Sequence, residues 1–423
     1  MSITSKINVR NIPFPALTIC PQTKSKTHFV VFENAFRELF EGSKVHGSAE
    51  RESKYFESLL HICSPQLLKL IKLEKSVLDV DSALVETLRN ISYRLSDSML
   101  FCKWRNEITE CEKLFTQILT DQGFCYTFNV LDFRDVFHDN LHSDFEYNQN
   151  KNTSWTLKDG YKSDKFDAYP WPIISQQFDA LRVILMTTDT DTDYVCQGSL
   201  QGFKIYFHQP NEFPRTFGKN VFIPLEQEAT ITVTPIMTKT STSLLKFKPE
   251  LRECYQNHEK KLNFFKTYTK HNCEIESLTE YVGEKCDCVR FSMPRKNGSK
   301  ICSVHMLECL SEAERDWMSL ANVEKAKNST CLASCTEIDY EVEKLTLTTF
   351  DYEALFDSYS YDLSDIPGYV LNVNWIKQKQ YFFSFRAIMS RLTVYFEDSE
   401  FDSNERFVIF GSLDFLASAG DKI

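Results

Sequence analysis

Fourteen cysteines stand in this chain of 423 residues, and eight of them crowd between Cys254 and Cys335. In order they are Cys254, Cys273, Cys286, Cys288, Cys302, Cys309, Cys331 and Cys335. Taken from both ends inward they nest: Cys254 with Cys335, Cys273 with Cys331, Cys286 with Cys309, Cys288 with Cys302. Nesting is what two antiparallel segments produce when they are stapled side by side. Cysteine at this density implies an oxidising compartment outside the cytosol. On a strand, Cys286 and Cys288 would share a face roughly 6.6 Å apart. On a helix, Cys302 and Cys309 would lie two turns apart on one side, roughly 10 Å. Two adjacent bridges across one interface would follow, each contributing about 2–4 kcal/mol by restricting the unfolded chain. The rival is a zinc site at Cys286, Cys288, Cys302 and His305. A Cys-x-Cys start amid further cysteines fits zinc motifs poorly, so disulfides are expected and no metal or cofactor.

Charge and hydropathy narrow the classes further. The 48 basic and 59 acidic residues leave a net charge of −11, the wrong sign for neutralising nucleic-acid phosphates. No run of eighteen apolar residues crosses a bilayer. The 34 phenylalanines predict large buried surfaces. The segment Ile12-Pro13-Phe14-Pro15-Ala16-Leu17-Thr18-Ile19 is too short and too proline-broken for a signal-peptide core. Cysteine usage nonetheless argues for export, as do Asn-x-Ser/Thr sequons at Asn90, Asn152, Asn297 and Asn328. A translocating segment upstream of Met1 is the economical expectation. No His-Glu-x-x-His motif, phosphate-binding Gly loop or Gly-x-Ser-x-Gly elbow stands in the chain, so no enzyme is expected.

Periodicity organises the chain into alternating blocks. Residues 7–20 read as an extended strand with prolines at its edge. Residues 28–122 read as helical: Phe29, Phe32, Phe36 and Phe40 recur at three and four, a second helix breaks near Pro65, and a third runs from Val77 to Met99. Residues 124–240 read as strands, with alternation over Phe203–His208 and Ala229–Thr234. Residues 250–345 form the stapled helical region, 346–380 are mixed, and 381–410 return to strands such as Ser390–Phe396. No repeat or linker divides the chain. One α+β body with a strand core and helical insertions is the expectation.

Several strings resemble the degenerin/epithelial sodium channel family, its pickpocket branch most of all. Phe14-Pro15-Ala16-Leu17-Thr18-Ile19-Cys20 is similar to the family's signature outside its first membrane helix. Gly123-Phe124-Cys125-Tyr126-Thr127-Phe128-Asn129 is similar to its second. Gln201-Gly202-Phe203-Lys204-Ile205, with His208, Glu212 and Pro214, resembles a central palm strand. Cys286-Asp287-Cys288 and Cys331-Leu332-Ala333-Ser334-Cys335 resemble the thumb, and Leu413–Gly420 the run into the second membrane helix. The strings span nearly the whole chain in family order.

The resemblance implies a mixed-sheet palm and β-ball core with helical finger, thumb and knuckle. The divisions are 1–27 (first palm strand), 28–122 (finger), 123–253 (palm and β-ball), 254–345 (thumb), 346–380 (knuckle) and 381–423 (last palm strands and lead-in to a second membrane helix). It implies Cys20–Cys125 and Cys102–Cys111 bridges, and the same four nested thumb bridges. The family's fifth thumb bridge falls at Ser277 and Ser329, where both partners are missing together. Cys63 and Cys196 remain, and are paired because an odd thiol is costly outside the cell. It implies a homo- or heterotrimer at the plasma membrane, amiloride-sensitive, passing sodium through a pore formed by membrane helices absent from this chain. Ala417 falls at the family's small-residue gating position. The function implied is the extracellular part of a non-voltage-gated sodium or cation channel subunit. The rival class is a secreted or decoy binding protein built on the same body.

Asp189-Thr190-Asp191-Thr192-Asp193 lacks the Gly and Glu of a calcium loop, having Tyr194 and Leu200 there, and reads as a solvated turn. His208 reads as a structural histidine before a proton sensor. The phenylalanine stripe reads as core before ligand cleft. Glu274, Glu276, Glu312 and Glu314 show no convergence by spacing, so proton gating is not inferred. Lys260 and Lys261 read as solvated surface.

Overall fold

The computed structural model describes residues 2–41, 50–71, 80–147, 151–157, 159–162, 168–174, 180–216, 218–324, 331–352 and 387–407. Gln227–Thr240 is the axis of the larger sheet. Along one side it pairs antiparallel with Glu337–Thr349, from Gln227 opposite Thr349 to Thr238 opposite Glu337. Along the other it runs parallel to Ala387–Phe396 and then to Glu400–Arg406. Leu181–Thr188, Met99–Trp104 and Glu107–Thr109 extend the sheet beyond Ala387–Phe396, and Ser2–Asn8 closes the opposite flank. Ser2–Asn8 and Glu400–Arg406 are antiparallel neighbours, Ser2 opposite Glu405 and Asn8 opposite Glu400. The first and last described strands therefore lie side by side.

A second sheet of five strands runs Val221–Pro224, Gly202–His208, Ala16–Pro21, Gly123–Phe128 and Phe115–Thr120. Its alternate side chains and those of the larger sheet meet in one core that includes Phe14, Leu17, Ile19, Trp104, Phe128, Ile205, Ile231, Val394 and Phe396. Gly202 sits where strand Gly202–His208 meets the edge strand Val221–Pro224. Its φ is +148°, and a Cβ there would come within 2.1 Å of the Ile223 carbonyl oxygen. Only glycine allows that approach.

Helices cover a second core outside the sheets. Phe32–Phe40, Glu50–Leu60 and Val80–Ile91 supply Phe32, Leu59, Leu84 and Leu88, and a later helix pair supplies Leu278, Val282 and Leu310. The phenylalanine stripe is core for most of its length. Phe32 is buried and stacks on Phe56 at 5.0 Å, Phe29 meets Tyr55 edge-on at 5.6 Å, and only Phe40 leaves the stripe, 59% exposed. Among the described residues no helix is long and apolar enough to cross a membrane.

Seven disulfides close the body: Cys20–Cys125, Cys63–Cys196, Cys102–Cys111, Cys254–Cys335, Cys273–Cys331, Cys286–Cys309 and Cys288–Cys302. The architecture is mixed α+β with several sheets.

Four local expectations need correction. Residues 99–120, within the block read as helical, hold strands Met99–Trp104, Glu107–Thr109 and Phe115–Thr120. The first two are joined by Arg105 and Asn106, both at positive φ, a two-residue turn whose twist matches the strands. Residues 337–349, at the end of the stapled block, are strand as well. Cys286 is the last residue of helix Lys270–Cys286, and Asp287 turns the chain left-handed at φ 54° before Cys288. The two cysteines therefore point apart instead of sharing a strand face. Cys302 precedes helix Leu307–Glu324 and Cys309 lies on it, so they are not two turns apart on one helix.

Candidate functional site

The later helix pair meets the strand core along a line of polar contacts. Helix Lys270–Cys286 begins at Thr269, whose hydroxyl accepts from the Asn272 N–H at 3.0 Å. It ends at the left-handed Asp287, whose N–H donates to the Gly283 carbonyl at 3.1 Å. Cys286 is bonded to Cys309, and the Trp317 indole donates to the Ser277 hydroxyl at 3.3 Å. These contacts make the two helices antiparallel. Ser277 stands where the resemblance leaves a missing bridge, and there its hydroxyl ties the helices through Trp317. Ser329 and Asn328 lie outside the described residues, as do Ala417 and the 413–420 string.

Between this pair and the strands is a cavity of about 70 Å³. Thr120 and Asp121 reach it from the turn between strands Phe115–Thr120 and Gly123–Phe128, and Arg215 and Thr216 from the loop after Gly202–His208. The helix side contributes Leu278, Arg290, Glu314 and Met318. Arg290 clamps Glu314 with two hydrogen bonds of 2.8 Å, a fork-to-carboxylate geometry that only arginine supplies. Its remaining nitrogen reaches the His61 carbonyl at 3.4 Å, joining the earlier helical region to the later one. Arg215 makes an ion pair with Glu274 on helix Lys270–Cys286. Burial holds Asp121 above the ordinary carboxylate range despite the opposing pull of Arg290. Thr216 is buried, and its hydroxyl has no hydrogen-bond partner among the described residues. The arrangement is a polar hinge line: Arg215 ties helix Lys270–Cys286 to the loop after Gly202–His208, and Arg290 ties helix Leu307–Glu324 to the earlier helical region.

The four carboxylates singled out by sequence separate in space. Glu274 and Glu314 each hold one arginine of this line. Glu276 is buried and accepts the N–H groups of Asn263 and Phe264 at 2.6 and 3.0 Å, and Glu312 is exposed. Asp191 accepts from the N–H and hydroxyl of Thr27 at 2.8 and 2.7 Å and from Tyr93, and Asp193 from the N–H groups of Val195 and Cys196 at 2.8 Å each. That loop is a pinned turn. Among the described residues no group of His, Cys, Asp and Glu could hold a metal. His305 is exposed and its three cysteine neighbours are oxidised. Lys261 is exposed, while Lys260 lies 5.7 Å from the Tyr255 ring centre.

Glu212, named above only as part of the palm-strand string, has an environment that spacing does not reveal. It is buried beside the start of helix Lys270–Cys286 and accepts from the Gln209 N–H and side-chain amide at 3.3 and 3.2 Å. Burial first, and Asp339 second, push its carboxyl up to about 8. His208 is buried nearby, its Nε2 2.9 Å from the Thr18 hydroxyl and its Nδ1 2.9 Å from the Gln209 carbonyl. Burial presses His208 down to about 3 and His271 to about 4.

The consequences for stability have opposite signs. From pH 4.5 to about 8 the folded chain keeps a proton at Glu212 that the unfolded chain has lost, so stability falls as pH rises. Below pH 6.5 the unfolded chain protonates both histidines while the folded chain refuses, so stability falls as pH drops. Two histidines outweigh one carboxyl there, so the combined contribution of these three groups peaks near pH 6.5. Glu212→Gln removes the Glu212 share of the decline between pH 4.5 and about 8. Relative to the parent, the variant gains about 1.4 kcal/mol per pH unit between about pH 4.5 and 8 and nothing further above that window, read from urea midpoints against pH. Parallel curves for the two proteins would refute the assignment.

The family model for the amiloride-sensitive sodium channel matches residues 1–422. The chain belongs to the amiloride-sensitive sodium channel family. Pickpocket protein 28 of Drosophila melanogaster is 24% identical over 420 residues, covering 97% of this chain and 63% of that protein. Sodium channel protein Nach of the same organism is 22% identical over 352 residues, 82% of this chain and 61% of its own length. Human acid-sensing ion channel 2 is 24% identical over 340 residues, 76% of this chain and 58% of its own. The chain thus spans about six-tenths of these channel-family relatives. The family is one of ion channels, not of enzymes.

Proposed function

We propose that this chain is the extracellular body of a non-voltage-gated cation channel subunit, which passes a stimulus to a sodium pore built by membrane helices flanking it. The observation that carries the reading is the pairing of Ser2–Asn8 with Glu400–Arg406. Whatever displaces one end of the chain displaces the other with it. Both strands join Gln227–Thr240 directly or through one neighbour, and Gln227–Thr240 pairs with Glu337–Thr349, which follows the stapled helices. A tilt of the helix pair about the Arg215–Glu274 and Arg290–Glu314 line would then reach both ends through continuous sheet. In family terms, 28–122 acts as finger, 254–345 as thumb, 346–380 as knuckle, and the strands as palm and β-ball. Three such subunits, alike or different, surround the pore at the plasma membrane. Ala417 is the gating position, where close helix packing limits side-chain size.

The test joins each end of the chain to a membrane-spanning helix from a channel of this family. Expressed at a cell surface, Ala417→Val is expected to give a standing sodium current that amiloride blocks. Surface-labelled protein that carries no current with either residue at 417 contradicts the reading.

A further inference from the structure

One cavity lies apart from the hinge line and has a sequon in its wall. It measures about 300 Å³, the lower end of the range for small-molecule sites. Asn90 and Ser92, from the end of helix Val80–Ile91, line one side. His28 and Phe29, their ring centres 4.1 Å apart, line another. Arg94 and Ser96 are exposed and complete the wall, with the Lys26–Asp97 ion pair of 2.7 Å. Phe29 is fixed by its edge-on contact with Tyr55 and by its N–H on the Lys26 carbonyl at 3.0 Å. Ser92 is fixed too, its hydroxyl donating to the Leu88 carbonyl at 2.6 Å. Asn90 is exposed.

We propose that Asn90 carries an N-linked glycan whose first N-acetylhexosamine lodges in this cavity. The chemistry fits a pyranose. Its C–H face needs an aromatic surface, which His28 and Phe29 offer, and its hydroxyl and acetamido groups need a polar ring, which Ser96, Arg94 and Asp97 offer. The sugar comes from a lipid-linked diphospho-oligosaccharide during export. The Asn90 amide nitrogen forms the glycosyl bond, the bond from the sugar to the diphosphate breaks, and the amide proton leaves with the diphosphate. Folding then winds Val80–Ile91 and swings the modified residue against the 26–29 segment. The sugar becomes a wedge between the helical region and the chain leading out of strand Ala16–Pro21. Asn152 and Asn297 are exposed on loops, so glycans there stand in solvent. This inference rests on the exported, extracellular reading given above.

The test secretes the full chain from a eukaryotic cell and follows each sequon by glycopeptide mass spectrometry while the folded protein meets an endoglycosidase. Asn90 is expected to be occupied and to lose its glycan about tenfold more slowly than Asn152 or Asn297, equivalent to about 1.4 kcal/mol of shelter. Phe29→Ala, and separately His28→Ala at an exposed position, should bring the Asn90 rate to that of the other sites. An empty Asn90 beside occupied neighbours, or equal release rates at all sites, overturns the inference and leaves the export reading intact. A secreted chain with no glycan at any sequon and alkylatable cysteines overturns the export reading itself.

Discussion

Replacing Cys20 and Cys125 together by alanine is expected to lower the unfolding free energy by about 4–5 kcal/mol, the largest loss from any single bridge but one. The two residues are 105 apart in sequence, and both are fully buried. They face each other across neighbouring antiparallel strands, in register with Ile19 opposite Tyr126. Their Cα atoms are 4.6 Å apart, the spacing of a non-hydrogen-bonded strand pair, so the bridge asks nothing unusual of the sheet. Its stabilisation therefore comes mainly from restricting the unfolded chain. Cys63–Cys196 closes a longer span of 133 residues and should rank beside it. Cys102–Cys111 closes only 9, and its removal should cost about 2.5–3 kcal/mol. Urea unfolding of the three alanine pairs tests the ranking. Equal losses for long and short loops would show that local strain or packing, not chain entropy, sets the scale.

Phe14→Ala is expected to cost about 3–5 kcal/mol, a full aromatic deletion from a core that cannot collapse around it. Phe14 is fully buried, with its ring 5.0 Å from Trp104, 5.1 Å from Phe396 and 6.1 Å from Phe128. Those three come from three different strands, so the ring is where the two sheets lock. The backbone is held as firmly. The Phe14 N–H donates to the Trp171 carbonyl at 2.8 Å, and the Asn129 side-chain amide donates to the Phe14 carbonyl at 2.6 Å. Asn129 also accepts from the Trp171 N–H at 2.7 Å, and it does so from a positive φ of 58° that asparagine tolerates. Phe40→Ala, at an exposed ring, is the control and should move stability by no more than about 0.5 kcal/mol. If both substitutions cost the same, Phe14 is not the lock between the sheets. In a full-length subunit the Phe14 change should also uncouple the first strand from the rest, because Phe14 sits between Ser2–Asn8 and Ala16–Pro21.

Strand alternation and cysteine order were readable because both are local or symmetric patterns. Phe203–His208 and Ala229–Thr234 show their period directly, and they fall in strands Gly202–His208 and Gln227–Thr240. The run Met99-Leu100-Phe101-Cys102-Lys103-Trp104 has no such period, because both faces of that strand are partly covered, and a short apolar run reads as well for helix. The Arg105–Asn106 turn after it carries no glycine to announce a hairpin. Residues 337–349 do alternate, through Ile338, Tyr340 and Val342, but a bulge opposite Thr232 and Val233 shifts the phase before Leu345 and Leu347. The Cys286–Cys288 geometry turned on one left-handed aspartate, which spacing alone does not reveal. The hinge line was beyond reach for a different reason. Arg215, Arg290, Glu274 and Glu314 lie far apart in sequence, and no local pattern says which charges will share a cavity.

In the oxidised body a braced helix pair is joined through continuous sheet to the paired first and last described strands. Non-reducing peptide mapping of the exported chain tests this most directly. The expected result is seven linked peptide pairs, with Cys286 bound to Cys309, Cys288 to Cys302, and Cys20 to Cys125, and with no thiol alkylated before reduction. Cysteines that alkylate freely without reductant, or that link in any other pattern, contradict it.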